Sequence, residues 1–107
     1  MKRFAVFLGL LLAPALVVYG SVSGSDGEAM MKKSDCFSCH SVRQKLVGPA
    51  YIDVAKKYRG KKGALVLLVK KVKEGGSGNW GSAAMVAHPG LPDSDIKVML
   101  QWVLKQK

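Results

Sequence analysis

The sequence predicts an all-α fold, a single small domain of four to five short helices. Three observations predict it. Beyond residue 24, apolar side chains recur at steps of three and four, the period of a helix with one buried face. No stretch alternates apolar and polar residues as a half-buried strand does, and no internal repeat or low-complexity run is present. Glycine and proline punctuate the periodic segments at short intervals.

The N-terminal segment stands apart from this pattern. Lys2 and Arg3 precede an apolar run from Phe4 to Tyr19, broken only by Gly9 and Pro14. Gly20, Ser21, Val22, Ser23 and Gly24 follow. A charged start, an apolar middle and a small-residue end make residues 1–24 an export signal, with cleavage between about 20 and 24. The run falls short of the ~20 apolar residues that a spanning helix needs. No cysteine lies at the boundary, which argues against a lipid anchor.

The remaining chain, 25–107, reads as helices. Asp26 to Lys33 is the first, with Ser25 or Asp26 as its N-cap. Ala50 to Arg59 is the second, ended by Gly60. Ala64 to Glu74 is the third, stopped by Gly75 and Gly76; Leu65, Leu68, Val69 and Val72 form its stripe, widened by Val66 and Leu67. The last runs from about Pro92 to Gln106. Pro92 suits the first helical position, and Asp93 and Asp95 suit the positive end of the helix dipole. Its stripe is Ile96, Met99, Leu100, Val103 and Leu104.

The chemistry lies in Cys36-Phe37-Ser38-Cys39-His40. This is C-x-x-C-H, the attachment signature of a c-type haem, with two thiols for thioether links and a histidine placed to reach the iron. The chain has two cysteines, so one haem uses both. Half a zinc site would need further ligands, and His40 and His88 are the only histidines. A thioredoxin-like pair wants a βαβ context that is absent. A disulfide closing so tight a loop stabilises little. A domain this small is marginal on its own core, and a covalent haem gives it an apolar body to pack around.

The second axial ligand must come from Met30, Met31, Met85, Met99 or His88. Met30 and Met31 lie just before the attachment site. Met99 falls on the stripe of the last helix, where core filling is the simpler role. Met85 lies in Gly81-Ser82-Ala83-Ala84-Met85-Val86-Ala87-His88-Pro89-Gly90, a segment with no helical period. His88 is its rival, since haems with two histidine ligands exist.

Taken in order, Cys36-x-x-Cys39-His40, Val47-Gly48-Pro49-Ala50-Tyr51-x-Asp53-Val54-Ala55, Gly75-x-Ser77-Gly78-x-Trp80-Gly81, Met85 and Trp102-Val103-Leu104 resemble the small bacterial class I cytochromes c. The nearest subgroup is the cytochrome c-551/c-552 type, and the resemblance spans Ser25 to Lys107. It implies a small cytochrome c fold wrapped around one haem c, with His40 and Met85 as axial iron ligands. It implies that the Pro49 carbonyl accepts a hydrogen bond from His40 Nδ1, and that the Trp80 indole meets a haem propionate. Lys71 falls where relatives often carry an arginine near a propionate. Trp102 is expected to cross the first helix near Met31. Haem attachment of this type takes place outside the bacterial cytoplasm, which agrees with the export signal.

Three departures from the family pattern stand out. Asp35 precedes Cys36 where glycine is frequent. Met85-Val86-Ala87-His88-Pro89-Gly90 replaces Met-Pro-Pro-Asn. The stretch from Met85 to Trp102 is about one residue longer.

With both axial positions filled, the expected function is a periplasmic, diffusible one-electron carrier in a respiratory chain, not an enzyme. A methionine ligand raises the potential relative to a second histidine. Two alternatives differ in class: a ligand-binding or peroxidatic haem protein with a labile Met85, and a membrane-tethered subunit with an uncleaved N-terminal segment. The chain carries 17 Lys and Arg against 7 Asp and Glu. Loss of Lys2 and Arg3 leaves a net charge of about +8, and two propionates lower it to about +6. Lys32, Lys33, Arg43, Lys45, Lys56, Lys57, Arg59, Lys61, Lys62, Lys70, Lys71 and Lys73 flank the attachment half. The expected partners of the monomer are redox proteins with acidic docking faces: a terminal oxidase, reductase or dehydrogenase. Anionic membrane surface is the secondary partner. An exported haem protein rarely meets nucleic acid, despite the basic charge.

Overall fold

The computed structural model describes residues 9, 13–20 and 24–107. The signal-peptide expectation falls partly outside them, at residues 1–8, 10–12 and 21–23. Residues 13–20 have no regular structure. No described helix is long and apolar enough to cross a membrane.

Among the described residues, five helices and one hairpin follow in the order α1 (Gly24–Lys33), α2 (Cys36–Cys39), α3 (Tyr51–Tyr58), α4 (Ala64–Glu74), β1 (Gly76–Gly78), β2 (Gly81–Met85) and α5 (Asp93–Leu104). α4 has the bounds that its pattern predicts. α1 begins earlier than predicted, so Ser25 and Asp26 lie in its first turn instead of capping it. An acidic Asp26 is favourable there, at the positive end of the dipole. Pro92 is the N-cap of α5, not its first helical residue, with extended backbone at φ −62°, ψ 144°.

α1 and α5 cross in close contact. A Cβ on Gly27 would stand 2.7 Å from Val98 O and 2.8 Å from Trp102 Cβ. A glycine inside a helix costs roughly 0.5–1 kcal/mol relative to alanine, and here it lets the two backbones approach. The start of α3 is satisfied by the loop after the attachment motif. Tyr51 N–H donates to Ser41 O at 2.9 Å and Ile52 N–H to Val42 O at 3.0 Å. Two first-turn amides that no intrahelical carbonyl can reach thereby find partners. The other end of α5 is held by Arg59, whose Nε donates to Leu104 O at 2.7 Å and whose Nη2 donates to Gln106 O.

The core gathers Met31 from α1, Tyr51, Val54 and Tyr58 from α3, Ala64, Leu68 and Val69 from α4, and Ile96, Met99, Leu100 and Val103 from α5. Met99 is therefore core, as its stripe predicts. Val66 does not widen the buried face of α4, being 71% exposed, whereas Leu67 lines the cavity described below. Their positions lie off the Leu65, Leu68, Val69, Val72 stripe. Trp102 meets Phe37 and Tyr51 edge to face, at centroid distances of 6.1 and 6.0 Å. It also packs on the cluster that holds Met31.

The hairpin is the element that periodicity does not foresee. β1 and β2 pair antiparallel, with Gly76 opposite Met85 and Gly78 opposite Gly81. Its strands are exposed and built from Gly, Ser and Ala up to Met85. Without a buried face there is no alternation to detect.

Candidate functional site

A cavity of about 390 Å³ opens between α2, the loop after it, α4 and the hairpin. That volume is in the range of small-molecule and cofactor sites. Cys36, Cys39, His40, Pro49, Lys71, Trp80 and Met85 all line it, and the core side chains Ile96, Met99 and Leu100 form part of its wall. Of the other ligand candidates, Met31, Met99 and His88 also border it.

The attachment side is rigidly built. The single turn of α2 brings Cys36 and Cys39, three residues apart, to one cavity. His40 ends the turn in extended conformation, its N–H donating to Cys36 O. Its side-chain Nδ1 lies 2.8 Å from Pro49 O. A carbonyl can only accept, so Nδ1 carries the proton and Nε2 keeps a lone pair. The ring stacks on Tyr51, with centroids 4.8 Å apart and planes 18° from parallel. A Cβ on Gly48 would stand 2.4 Å from His40 Cε1, so any larger residue there would displace the ring. Gly48 N–H also donates to Cys39 O at 2.8 Å.

Burial, then the neighbouring Asp35 carboxylate, pushes the Cys36 thiol up from its ordinary value. Burial is also the main reason the Tyr51 phenol titrates far above its usual range, with the Cys36, Cys39 and Asp35 charges adding to it. A phenol so raised stays neutral beneath the imidazole.

The opposite side hangs from the hairpin. Met85 ends β2, half-buried. Gly75, at φ 68°, turns the chain out of α4; a Cβ there would meet Met85 O at 2.4 Å and Ala87 N at 2.8 Å. Position 75 thus needs glycine for its backbone angle and for space. Beyond Met85, His88 N–H donates to Val72 O at 3.0 Å. Lys73 Nζ donates to Leu91 O at 2.8 Å and pairs with Asp93 at 3.2 Å. His88 Nε2 lies 2.6 Å from Asp35 Oδ1. That hydrogen bond is the first cause holding the Asp35 carboxyl below its ordinary value.

Trp80 forms the turn of the hairpin and is 37% exposed. Lys57 Nζ sits 4.7 Å from its ring centroid, a cation–π distance, and also reaches Asn79 O at 3.4 Å. Lys57, one of the basic residues flanking the attachment half, is half-buried in this contact. Lys71 lies over the hairpin, its Nζ 3.4 Å from where a Cβ on Gly76 would be. Three contacts escape sequence reasoning: the His40–Tyr51 stack, the Lys57–Trp80 contact and the Asp35–His88 pair. Tyr51 was visible only as a motif position, and no local signal links residues so far apart in the chain.

The residues suit a covalent haem. Two thiols one turn apart, an imidazole with only Nε2 free and a thioether on another wall border one largely apolar space. A zinc site fits poorly, since no group of three His, Cys, Asp or Glu gathers among the described residues.

The comparisons with known proteins agree across the helical domain. The family model for cytochrome c matches residues 24–107. Cytochrome c-552 of Hydrogenobacter thermophilus is 46% identical over 80 residues, covering 75% of this chain and 81% of that protein. Cytochrome c-551 of Pseudomonas aeruginosa is 37% identical over 107 residues, the full length of both. The crystal structure of wild-type Nitrosomonas europaea cytochrome c552 superposes with a TM-score of 0.70 at 40% identity, covering 75% of this chain and 99% of that one. With fold, cavity and sequence in agreement, the chain belongs to the cytochrome c family, in its small bacterial class I c-551/c-552 group of periplasmic electron carriers with one covalent haem c.

Proposed function

We propose that Cys36 and Cys39 hold the haem by thioether links and that His40 Nε2 and Met85 Sδ are its axial ligands. Pro49, Trp80 and Lys71 line the haem's surroundings. The observation that carries this reading is the 2.8 Å bond between His40 Nδ1 and Pro49 O. It fixes the tautomer and leaves one ring nitrogen for a metal, on a cavity that Met85 also lines. The haem supplies the one-electron chemistry. His40 and Met85 would hold the iron from two walls, and the apolar lining would shield the bound haem from water. Lys71 brings positive charge to the hairpin side, which suits an anionic propionate.

The optical spectrum of the holoprotein tests the ligand assignment. Met85→Ala should abolish the sulfur-to-iron charge-transfer band of the oxidised form and open a site for cyanide or azide. Met99→Leu should leave the band in place. Loss of the low-spin spectrum in His88→Ala, with Met85→Ala unaffected, would reverse the assignment.

Residues 1–24 act as a cleaved export signal in this reading, cut between about 20 and 24. The mass of the mature N-terminus separates this from a tethered subunit. The partners are respiratory redox proteins, and we assign them acidic docking faces that meet a monomer. Exposed Lys45, Lys56, Lys61, Lys62 and Lys70 support that assignment, as do the exposed apolar Leu46 and Val47 beside Lys45. A basic field steers the approach of such a partner, while an apolar patch makes contact.

A further inference from the structure

Two of the three departures from the family pattern meet in space. Asp35 is the N-cap residue of α2, directly before Cys36. His88 lies three residues beyond Met85. They are 53 positions apart in the chain, yet Nε2 and Oδ1 lie 2.6 Å from each other. Both residues border the haem cavity.

The two partners differ in burial. The Asp35 side chain is 61% exposed and that of His88 only 17%. His88 Nδ1 is buried and meets no hydrogen-bond partner among the described residues. A fully exposed ion pair contributes little. A short bond from a largely buried imidazole to a carboxylate is of the stronger, charge-assisted kind. His88 is also fixed through its backbone, by its N–H to Val72 O of α4. The residue is thus pinned twice, to α4 and to the attachment segment. Lys73 holds the next residues through Pro89 O and Leu91 O.

We propose that Asp35 and His88 form a latch between the attachment segment and the distal loop, positioning Met85 and setting how readily it leaves the iron. This rests on the reading of Met85 as the axial ligand. The pair acts through the loop, so both are positioning residues. The same loop without the latch would keep its α4 contacts and lose its tie to the segment that carries the thioethers.

The test is a double-mutant cycle on the holoprotein, with Asp35→Ala, His88→Ala and the double variant. Two quantities are read: cyanide association with the oxidised protein, and hydrogen exchange of the His88 and Leu91 amides by NMR. Each single variant should raise both by about three- to tenfold, and the double variant should add little beyond either, since the two residues share one interaction. Asp35→Asn, which keeps an acceptor at an exposed position without the charge, should fall between wild type and Asp35→Ala. Rates that stay unchanged in Asp35→Ala and Asp35→Asn, or single effects that simply add, would overturn the latch. A wild type without the sulfur-to-iron band would instead defeat the Met85 reading. A latch that then still governed amide exchange would hold a loop bearing no ligand, and the proposal as stated would fall with that reading.

Discussion

The His40 and Met85 sides of the haem cavity are built by different means. His40 is half-buried beside the core: its ring is bonded to Pro49, stacked on core Tyr51 and backed by Gly48. The loop after it closes the first turn of α3. Met85 instead ends an exposed hairpin of small residues, and bonds from Val72, Lys73 and Asp35 hold the chain beyond it. One proposed ligand is placed by packing, the other by tethers. Packing is lost only with the domain, while tethers open locally. Lability should therefore reside on the methionine side.

The largest effect should come from the attachment side. A Cys36→Ala, Cys39→Ala double variant should lose all haem-peroxidase stain on a denaturing gel, where the wild type keeps it. A wild-type mass equal to that of the bare mature chain would remove the basis of the comparison.

Substituting the two backing glycines measures the comparison directly. Gly48→Ala drives a methyl group into the His40 ring and should cost about 1–3 kcal/mol of global stability, as overpacking does. Gly75→Ala strains a positive φ beside Met85 O. It should weaken the charge-transfer band more than it lowers the denaturation midpoint. If Gly75→Ala destabilised the domain more than Gly48→Ala, the distal side would be the structural one.

Acid should loosen the tie between Asp35 and the distal loop. The Asp35 carboxyl is held below its ordinary 3.8 by its bond to His88. A depressed carboxylate contributes stability that is present above the unfolded value and lost as pH falls through the folded one. The methionine band should thus persist at neutral pH and weaken only below about pH 4. Asp35→Asn should remove that part of the acid response. An identical acid profile in the two proteins would detach the pair from the loop.

The smallest effects concern the surface. Lys45→Glu with Lys56→Glu should lower the bimolecular electron-transfer rate with an acidic partner, and the rate should fall as salt rises. Screening sets the scale, since the Debye length shrinks from about 30 Å at 0.01 M to about 10 Å at 0.1 M salt. Both residues are exposed, so the haem potential should stay in place. Lys57 is unsuited to this test because of its contact with Trp80. A rate flat in ionic strength would leave the apolar rim as the sole guide to docking.

The attachment side was largely legible in the sequence and the distal side was not. A five-residue motif announces Cys36, Cys39 and His40, and helical stripes announce α4 and α5. Those signals work because each is local and tied to a buried face. The hairpin has no buried face, so its Gly, Ser and Ala residues read as loop. α2 is a single turn, too short for any period. Asp35 and His88 were each visible as departures from the family pattern, but nothing local joins residues 53 positions apart. The Lys57–Trp80 contact was hidden for the same reason.

The close crossing at Gly27 has a consequence for how the molecule is made. It joins the first helix to the last, so the domain closes only when residues 93–104 are present. In a chain made from its N-terminus, Cys36 and Cys39 are present before α5 is. Cys36 packs against a cluster whose α5 members, Ile96, Met99, Leu100 and Val103, arrive last. Until then the attachment motif precedes the packing that covers it. α5 thus acts as a lid on the cavity, whose wall it forms through Ile96, Met99, Leu100 and Val103.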